Sequence, residues 1–197
     1  MTKKKPKEKR IDDIIQAAVE EFLEKGFDGT SMNAIAFRAG ISKGGLYHHF
    51  NSKDEILIYS NQKLNQPVTA MMIKAAKRST ALEALEWYIR NYLSYWLEHK
   101  KEMFFYFLTF TKALDSPVLW EMYASYTEDC IKFFQSLFQK GIDSGEFYPH
   151  STRESALTLM AALDGIIGYL LMDKNLELEE IVTTFMDKFV YILKRKN

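Results

Sequence analysis

The chain has 197 residues, 47% of them hydrophobic, enough to close one or two compact cores. Its 26 basic residues balance 26 acidic ones, so there is no net pull toward polyanions and any such attraction must come from where the charges sit. The single cysteine, Cys130, excludes an internal disulfide; no apolar run approaches the roughly 18–20 residues of a membrane span, and Met1-Thr2-Lys3-Lys4-Lys5 leads into Pro6 and charge instead of an apolar signal core, so a cytoplasmic protein is expected.

Lys3, Lys4, Lys5, Lys7, Lys9 and Arg10 crowd against Glu8 alone, which reads as a basic flexible arm over residues 1–9, either a solvated tail or a segment able to lie on phosphates. Ile11, Ile14, Ile15, Ala18, Val19, Phe22 and Leu23 then recur at helical spacing opposite Asp12, Asp13, Glu20, Glu21 and Glu24, giving an amphipathic first helix that Gly26 ends. Thr30 or Ser31 supplies a cap oxygen for a second helix with Ile35, Ala36 and Ala39 on its apolar face. Gly40 stops that helix in a conformation other residues resist, Ile41 plugs the corner, and Ser42 restarts the chain as the cap of a third helix, Lys43 to Phe50. Two short helices joined by a tight turn, over about residues 31–50, make a helix-turn-helix, an element that reads DNA.

Ser52 with Glu55 opens a fourth helix toward Lys77, which Pro67 should kink or break near Gln66. Thr80 with Glu83 opens a helix to about His99; Met103 to Leu114 is short and aromatic; Ser116-Pro117 starts a long one to about Ile142. Residues 143–149 form a loop, Ser151 with Glu154 caps a helix to about Met172, and Leu176 to Lys194 makes the last. No stretch alternates as a strand, so the fold class is all-α with about nine helices: a DNA-binding domain over 10–59 and a helical domain over 60–197.

Within the third helix Leu46 and Phe50 face the core, leaving Lys43, Gly44, Tyr47 and His48 on other faces. Gly44 has no side chain to hold DNA away, Lys43 can bind a guanine or a phosphate, and Tyr47 can donate to a phosphate; the alternative for Tyr47 and His48 is packing on the first helix. Thr30, Ser31, Ser42 and Lys53 lie at helix starts, where amides and hydroxyls suit phosphate clamping. No phosphate loop, nucleophile elbow or paired-histidine motif occurs, and His48, His49, His99 and His150 lack metal-ligand spacing. No enzyme activity, cofactor or metal is expected. Cys130 lies in a helical pattern between Tyr126 and Phe134, where a buried inert thiol and a redox sensor are the two readings.

Ile14-Ile15-Gln16-Ala17-Ala18, Phe22 with Gly26-Phe27, Thr30-Ser31-Met32, Ile35-Ala36, Ala39-Gly40-Ile41-Ser42, Leu46-Tyr47-His48-His49-Phe50 and Lys53-Asp54-Glu55 together resemble the DNA-binding domain of the TetR (tetracycline-repressor-like) family of bacterial transcriptional regulators. The resemblance runs from about Arg10 to Tyr59 and places Lys43, Gly44, Tyr47 and His48 against DNA. Gly45 stands where many members carry a side chain, which removes one base contact. The resemblance further implies a homodimer on a palindromic double-stranded operator, released by a small effector held among the middle helices.

Trp87, Tyr92, Trp96, Phe107, Phe110, Trp120, Tyr123 and Tyr126 are the pocket candidates, each with core packing as the alternative. Such walls favour a hydrophobic or flat molecule, and ring faces can also hold a lipophilic cation. Asp164, inside the apolar run Leu159 to Leu171, needs a partner: a buried hydroxyl, the other subunit, or a cationic ligand. Ala161, Gly165 and Gly168 permit close approach of another helix and, with Asp164, Phe185 and Phe189, are the dimer-interface candidates in a four-helix bundle. The competing expectation is a second domain that only dimerises, or a helical small-molecule carrier.

Overall fold

The computed structural model describes residues 7–173 and 175–195, and among them the chain forms nine α-helices and no β-strand. In chain order these are α1 (Lys7–Gly29), α2 (Met32–Arg38), α3 (Lys43–Tyr47), α4 (Lys53–Ala76), α5 (Ala81–Glu98), α6 (Lys100–Ala113), α7 (Pro117–Asp143), α8 (Thr152–Met172) and α9 (Leu178–Phe185). Residues 1–6 of the expected basic arm lie outside the described residues; Lys9 and Arg10 are already in α1.

The helices pack as two units, Met1–Gln66 with Lys101–Leu119, and Pro67–Lys100 with Trp120–Asn197. Residues 101–119, which lie beyond the boundary read at 59/60, go with the first. In that unit Ile14, Ile15, Ala18 and Phe22 of α1 are buried with Ile35, Leu46, Phe50, Ile56 and Leu57. A left-handed backbone at Gly26 (φ 72°) turns the chain out of α1's direction, and Gly40 (φ 65°) does the same after α2, as glycine alone does without steric cost. Successive turns of α6 are fixed to this core: the Phe105 ring stacks on Phe22 at 6.2 Å, the Thr109 hydroxyl donates to Asn61 Oδ1 at 3.0 Å, and Lys112 Nζ sits 3.3 Å from Asp28 Oδ1.

Contrary to the expected break, α4 runs unbroken through Pro67. The proline removes one rung of the hydrogen-bond ladder, but Leu64, Val68 and Met72, buried on one stripe to either side, favour continuing the helix across it. The chain passes from the first unit to the second at this residue.

In the second unit Thr80 Oγ1 caps α5 by accepting from Glu83 N at 3.0 Å, and Glu146 completes the helix start by accepting from the amides of Ala81 (3.1 Å) and Leu82 (3.0 Å). Burial alone would raise the Glu146 carboxyl, but the bonds from the Leu82 and Ala81 amides and from Ser144 outweigh it and hold the carboxyl below its ordinary range. Ser151 stands at the cap of α8 without a side-chain cap bond. α8 buries Ala156, Leu159, Leu163, Ile167 and Leu170, yet only 28% of its most apolar eighteen residues are buried. By length and composition this helix is apolar enough to cross a membrane, which corrects the reading that no run approaches that length.

The expected last helix, Leu176 to Lys194, is shorter and irregular. α9 ends at Phe185, followed by a π turn over Met186–Val190 and a 3-10 turn over Tyr191–Leu193. Leu193 O then accepts from Tyr148 N and Arg195 N donates to Glu146 O, both at 3.0 Å, pairings that a helix continuing through Lys194 would have used up internally.

Candidate nucleic-acid interface

Both cap hydroxyls of the helix-turn-helix are in place: Ser31 Oγ accepts from Ala34 N at 3.1 Å and Ser42 Oγ from Gly45 N at 3.0 Å. Between them the caps and Gly40 fix the angle at which α3 leaves α2, and Leu46, wholly buried, sets which face of α3 points outward. Lys43, Gly44, Tyr47 and His48 all stand exposed on that face. Residues four apart are neighbours on a helix, so 43 pairs with 47 and 44 with 48; Lys43 Nζ lies 6.0 Å from the Tyr47 ring. Tyr47 and His48 are therefore not packed on α1. α3 itself is shorter than expected, with His48 as its C-cap and His49 in the turn before Phe50.

Two candidates change role. Thr30 is 2% exposed and its hydroxyl, 2.8 Å from Gly26 O and 3.0 Å from Glu21 O, braces the turn after α1 instead of meeting a phosphate. Lys53 donates its ammonium to Phe27 O at 2.7 Å and lies 4.5 Å over the Phe27 ring, so the side chain ties α4 to the end of α1 and only the helix start remains for an anion. Sequence reasoning had no signal for either, because both depend on how α1 crosses the reading pair.

Arg38, the basic residue of α2, was not singled out and is also committed inward. It is bound by Glu21 at 2.7 Å, Glu20 at 3.2 Å and Glu24, a three-carboxylate grip joining α1 to α2. Hydrogen bonds from Lys25 and then Arg38 hold the Glu21 carboxyl below its usual range. A depressed carboxyl stabilises the fold above its unfolded pKa and loses that contribution as pH falls through the folded value. Arg38→Ala is therefore expected to lower the melting temperature at pH 7, and the gap from wild type should shrink as the pH is taken down toward 3. A gap that stays constant with pH would remove the Glu21 link from the account.

The aromatic candidates divide. Phe107 and Phe110, on α6, belong to the first unit and are 43% and 42% exposed. In the second unit Trp120 is 52% exposed, Trp96 and Tyr123 are buried, and Tyr92 and Tyr126 are half-buried. Trp87 lies on another stripe, its ring 5.0 Å under the Arg78 guanidinium. The structure gathers Tyr92 and Trp96 with Tyr88, which is 5.6 Å from Tyr92 and nearly parallel to it; the three fall at four-residue spacing along α5, the signal by which Tyr88 could have been found. Of the dimer candidates, Ala161, Asp164 and Gly165 are exposed on α8 and Gly168 is half-exposed. Phe185 is 6% exposed, its ring tilted against that of Phe189 at 5.3 Å, so it fills the protomer's own core and is not a free interface residue. Cys130 is buried and its thiol pushed up to about 12, mainly by burial, which makes it inert.

Residues 14–59 match the family described as "Bacterial regulatory proteins, tetR family", and residues 107–195 match "QacR-like protein, C-terminal region". The uncharacterized HTH-type transcriptional regulator YfiR of Bacillus subtilis (strain 168) is 28% identical over 155 residues, 74% of this chain and 72% of its own. The biofilm operon icaADBC HTH-type negative transcriptional regulator IcaR of Staphylococcus aureus (strain Newman) is 49% identical, but over 45 residues only, 23% of this chain and 24% of its own. The crystal structure of the transcriptional regulator FadR from Bacillus subtilis in complex with stearoyl-CoA shares the fold at a TM-score of 0.73 and 22% identity, covering 91% of this chain and 97% of that one. With the reading helix exposed as such a protein requires and matches in both halves, this chain belongs to the TetR family of DNA-binding transcriptional regulators.

Proposed function

We propose that the protein is a repressor that binds a palindromic operator as a homodimer and leaves it when a hydrophobic or aromatic small molecule enters the second unit. The observation that carries the DNA half is the exposed face Lys43, Gly44, Tyr47 and His48, held outward by the buried Leu46. Two such helices about 34–36 Å apart enter successive major grooves. The bare face of α8, around Ala161, Gly165 and Gly168, supports dimerisation, since an apolar helix face left in water is unfavourable. IcaR's printed role as a negative regulator supports repression, and FadR's stearoyl-CoA supports a ligand among these helices. An effector releases DNA only if it binds the DNA-incompetent state more tightly.

Selection of binding sequences from random duplex DNA, with the wild type and a Lys43→Ala, Tyr47→Ala double variant, tests the reading. The expected result is an inverted-repeat consensus with half-sites about one helical turn apart, and loss of enrichment in the variant. An unchanged consensus with the variant would move the DNA contact away from α3; no enrichment by folded wild type would reject the reading.

A further inference from the structure

α6 is apolar on two opposite faces. Its inner face, with Phe105, Thr109 and Ala113, is buried in the first unit. Its outer face carries Phe104, Phe107 and Phe110, and Leu114 continues the line just past the last turn; they are 58%, 43%, 42% and 67% exposed. Steps of three and four residues keep side chains on one helix face, so the four form a single stripe. A surface helix ordinarily turns polar residues away from its core, and a helix that is apolar all round is ordinarily buried all round. All four residues belong to the first unit, so the stripe is no part of the bare face of α8.

With about 200 Å² for each side chain, those fractions leave roughly 400 Å² of apolar surface in water. A stable interface takes roughly 800 Å² from each partner, so this stripe holds an occupant weakly. Its two ends carry opposite charges. Lys101 stands exposed at the start of α6 and Asp115 exposed beyond its end, and neither has an ion pair among the described residues. Glu102, beside Lys101, lies on the inner side, seven residues before Thr109. An anionic lipid surface would gain from Lys101 and be repelled at Asp115. A second copy laid antiparallel satisfies both ends. About a two-fold axis between Leu108 and Thr109, Lys101 of each copy faces Asp115 of the other, Phe104 faces Leu114 and Phe107 faces Phe110. One register therefore matches the charges and the rings together.

We infer that the outer face of α6 is a self-docking surface, on which a second copy packs antiparallel through Phe104, Phe107, Phe110 and Leu114 while Lys101 and Asp115 pair at the ends. Sedimentation of the full-length protein from about 1 to about 300 μM tests it by mass action. Expected is a reversible doubling of the mass found at the lowest concentration, with a midpoint on the order of 0.1 mM. Lys101→Glu sets like charges against each other at both ends and should weaken the step by about 10-fold. Adding Asp115→Lys restores opposite signs and should bring the step back to within about 3-fold of wild type. Phe107→Glu should abolish it. Because the α8 face lies in the other unit, the mass at the lowest concentration should be the same in every variant.

A wild-type protein whose mass stays constant across the range overturns the inference, as does a folded Lys101→Glu variant that doubles like wild type. A folded double variant that fails to regain the step overturns the antiparallel pairing and the inference with it. If Phe107→Glu does not fold, the charge variants, both at exposed positions, decide alone.

Discussion

Gly141→Ala is expected to lower the melting temperature by about 5 °C, an outcome opposite in sign to what the position in a helix suggests. Gly141 is the third residue from the end of α7, and replacing a helical glycine by alanine ordinarily stabilises by up to about 1 kcal/mol. Here a Cβ would lie 2.1 Å from Cδ2 and 2.4 Å from Cε2 of Phe147, whose ring is wholly buried and has no way out. The same contact is locked from the backbone side, because Phe147 N donates to Gly141 O at 3.0 Å.

Relief requires shifting α7 or the ring, and overpacking of this kind costs about 1–3 kcal/mol, toward the upper end where the obstacle is a ring pinned by its own backbone. The loss outweighs the helix gain by about 2 kcal/mol, and a chain of this length gives roughly 2–4 °C per kcal/mol. Thermal unfolding of Gly141→Ala in the wild type and in a Phe147→Ala background checks the cause. In the second background the ring atoms that meet the new Cβ are gone, and alanine at 141 should be neutral or slightly stabilising relative to that background. A Gly141→Ala protein as stable as wild type would mean that the loop after α7 yields freely.

What could be read from sequence was whatever is decided within a few residues. Ser31 and Ser42 cap helices through amides three positions on, and Gly40 needs only its own backbone, so the turn between the two reading helices and the start of the second were legible. The ends of α3 and α9 were not. Where α3 stops depends on the turn that delivers Phe50 to the core, and the chain after α9 leaves its last helical turn at Leu193, where Leu193 and Arg195 bond to residues near 147, almost fifty positions away.

The same division runs through the site. The exposed face of α3 follows from helical spacing alone, but Thr30 and Lys53 look like phosphate ligands until α1 is laid across them and claims their polar groups, as it also claims Arg38. Pro67 carried a strong breaking signal that the buried stripe of α4 overrides, a case of tertiary packing outweighing local preference. Among the aromatics, four-residue spacing was the better guide than abundance: it joins Tyr88, Tyr92 and Trp96, whereas Trp87, one residue off, sits under Arg78.

Gly44→Glu is expected to reduce operator affinity by about 100-fold or more while leaving the melting temperature equal to or slightly above that of wild type. A Cβ at Gly44 meets nothing within 4 Å, so the protein by itself accepts a side chain there; at neighbouring Gly45 a Cβ would press on the Ser42 cap hydroxyl at 3.2 Å. The free space at Gly44 is therefore not demanded by the fold, and on the reading that α3 enters the major groove it is occupied by DNA. Glutamate fills that space and sets a negative charge among phosphates that Lys43 and Tyr47 would otherwise engage, so steric and Coulombic penalties act together. Gly44→Ala separates them, since it carries the steric part alone and should lose less, with a loss independent of salt. The added loss on going from alanine to glutamate should shrink as ionic strength rises and screening shortens the repulsion. Binding isotherms of the three proteins on the selected operator at two salt concentrations decide the matter. Wild-type affinity in a folded Gly44→Glu protein would place the DNA on a different face of the head, and Lys43, Tyr47 and His48 would lose their assignment with it.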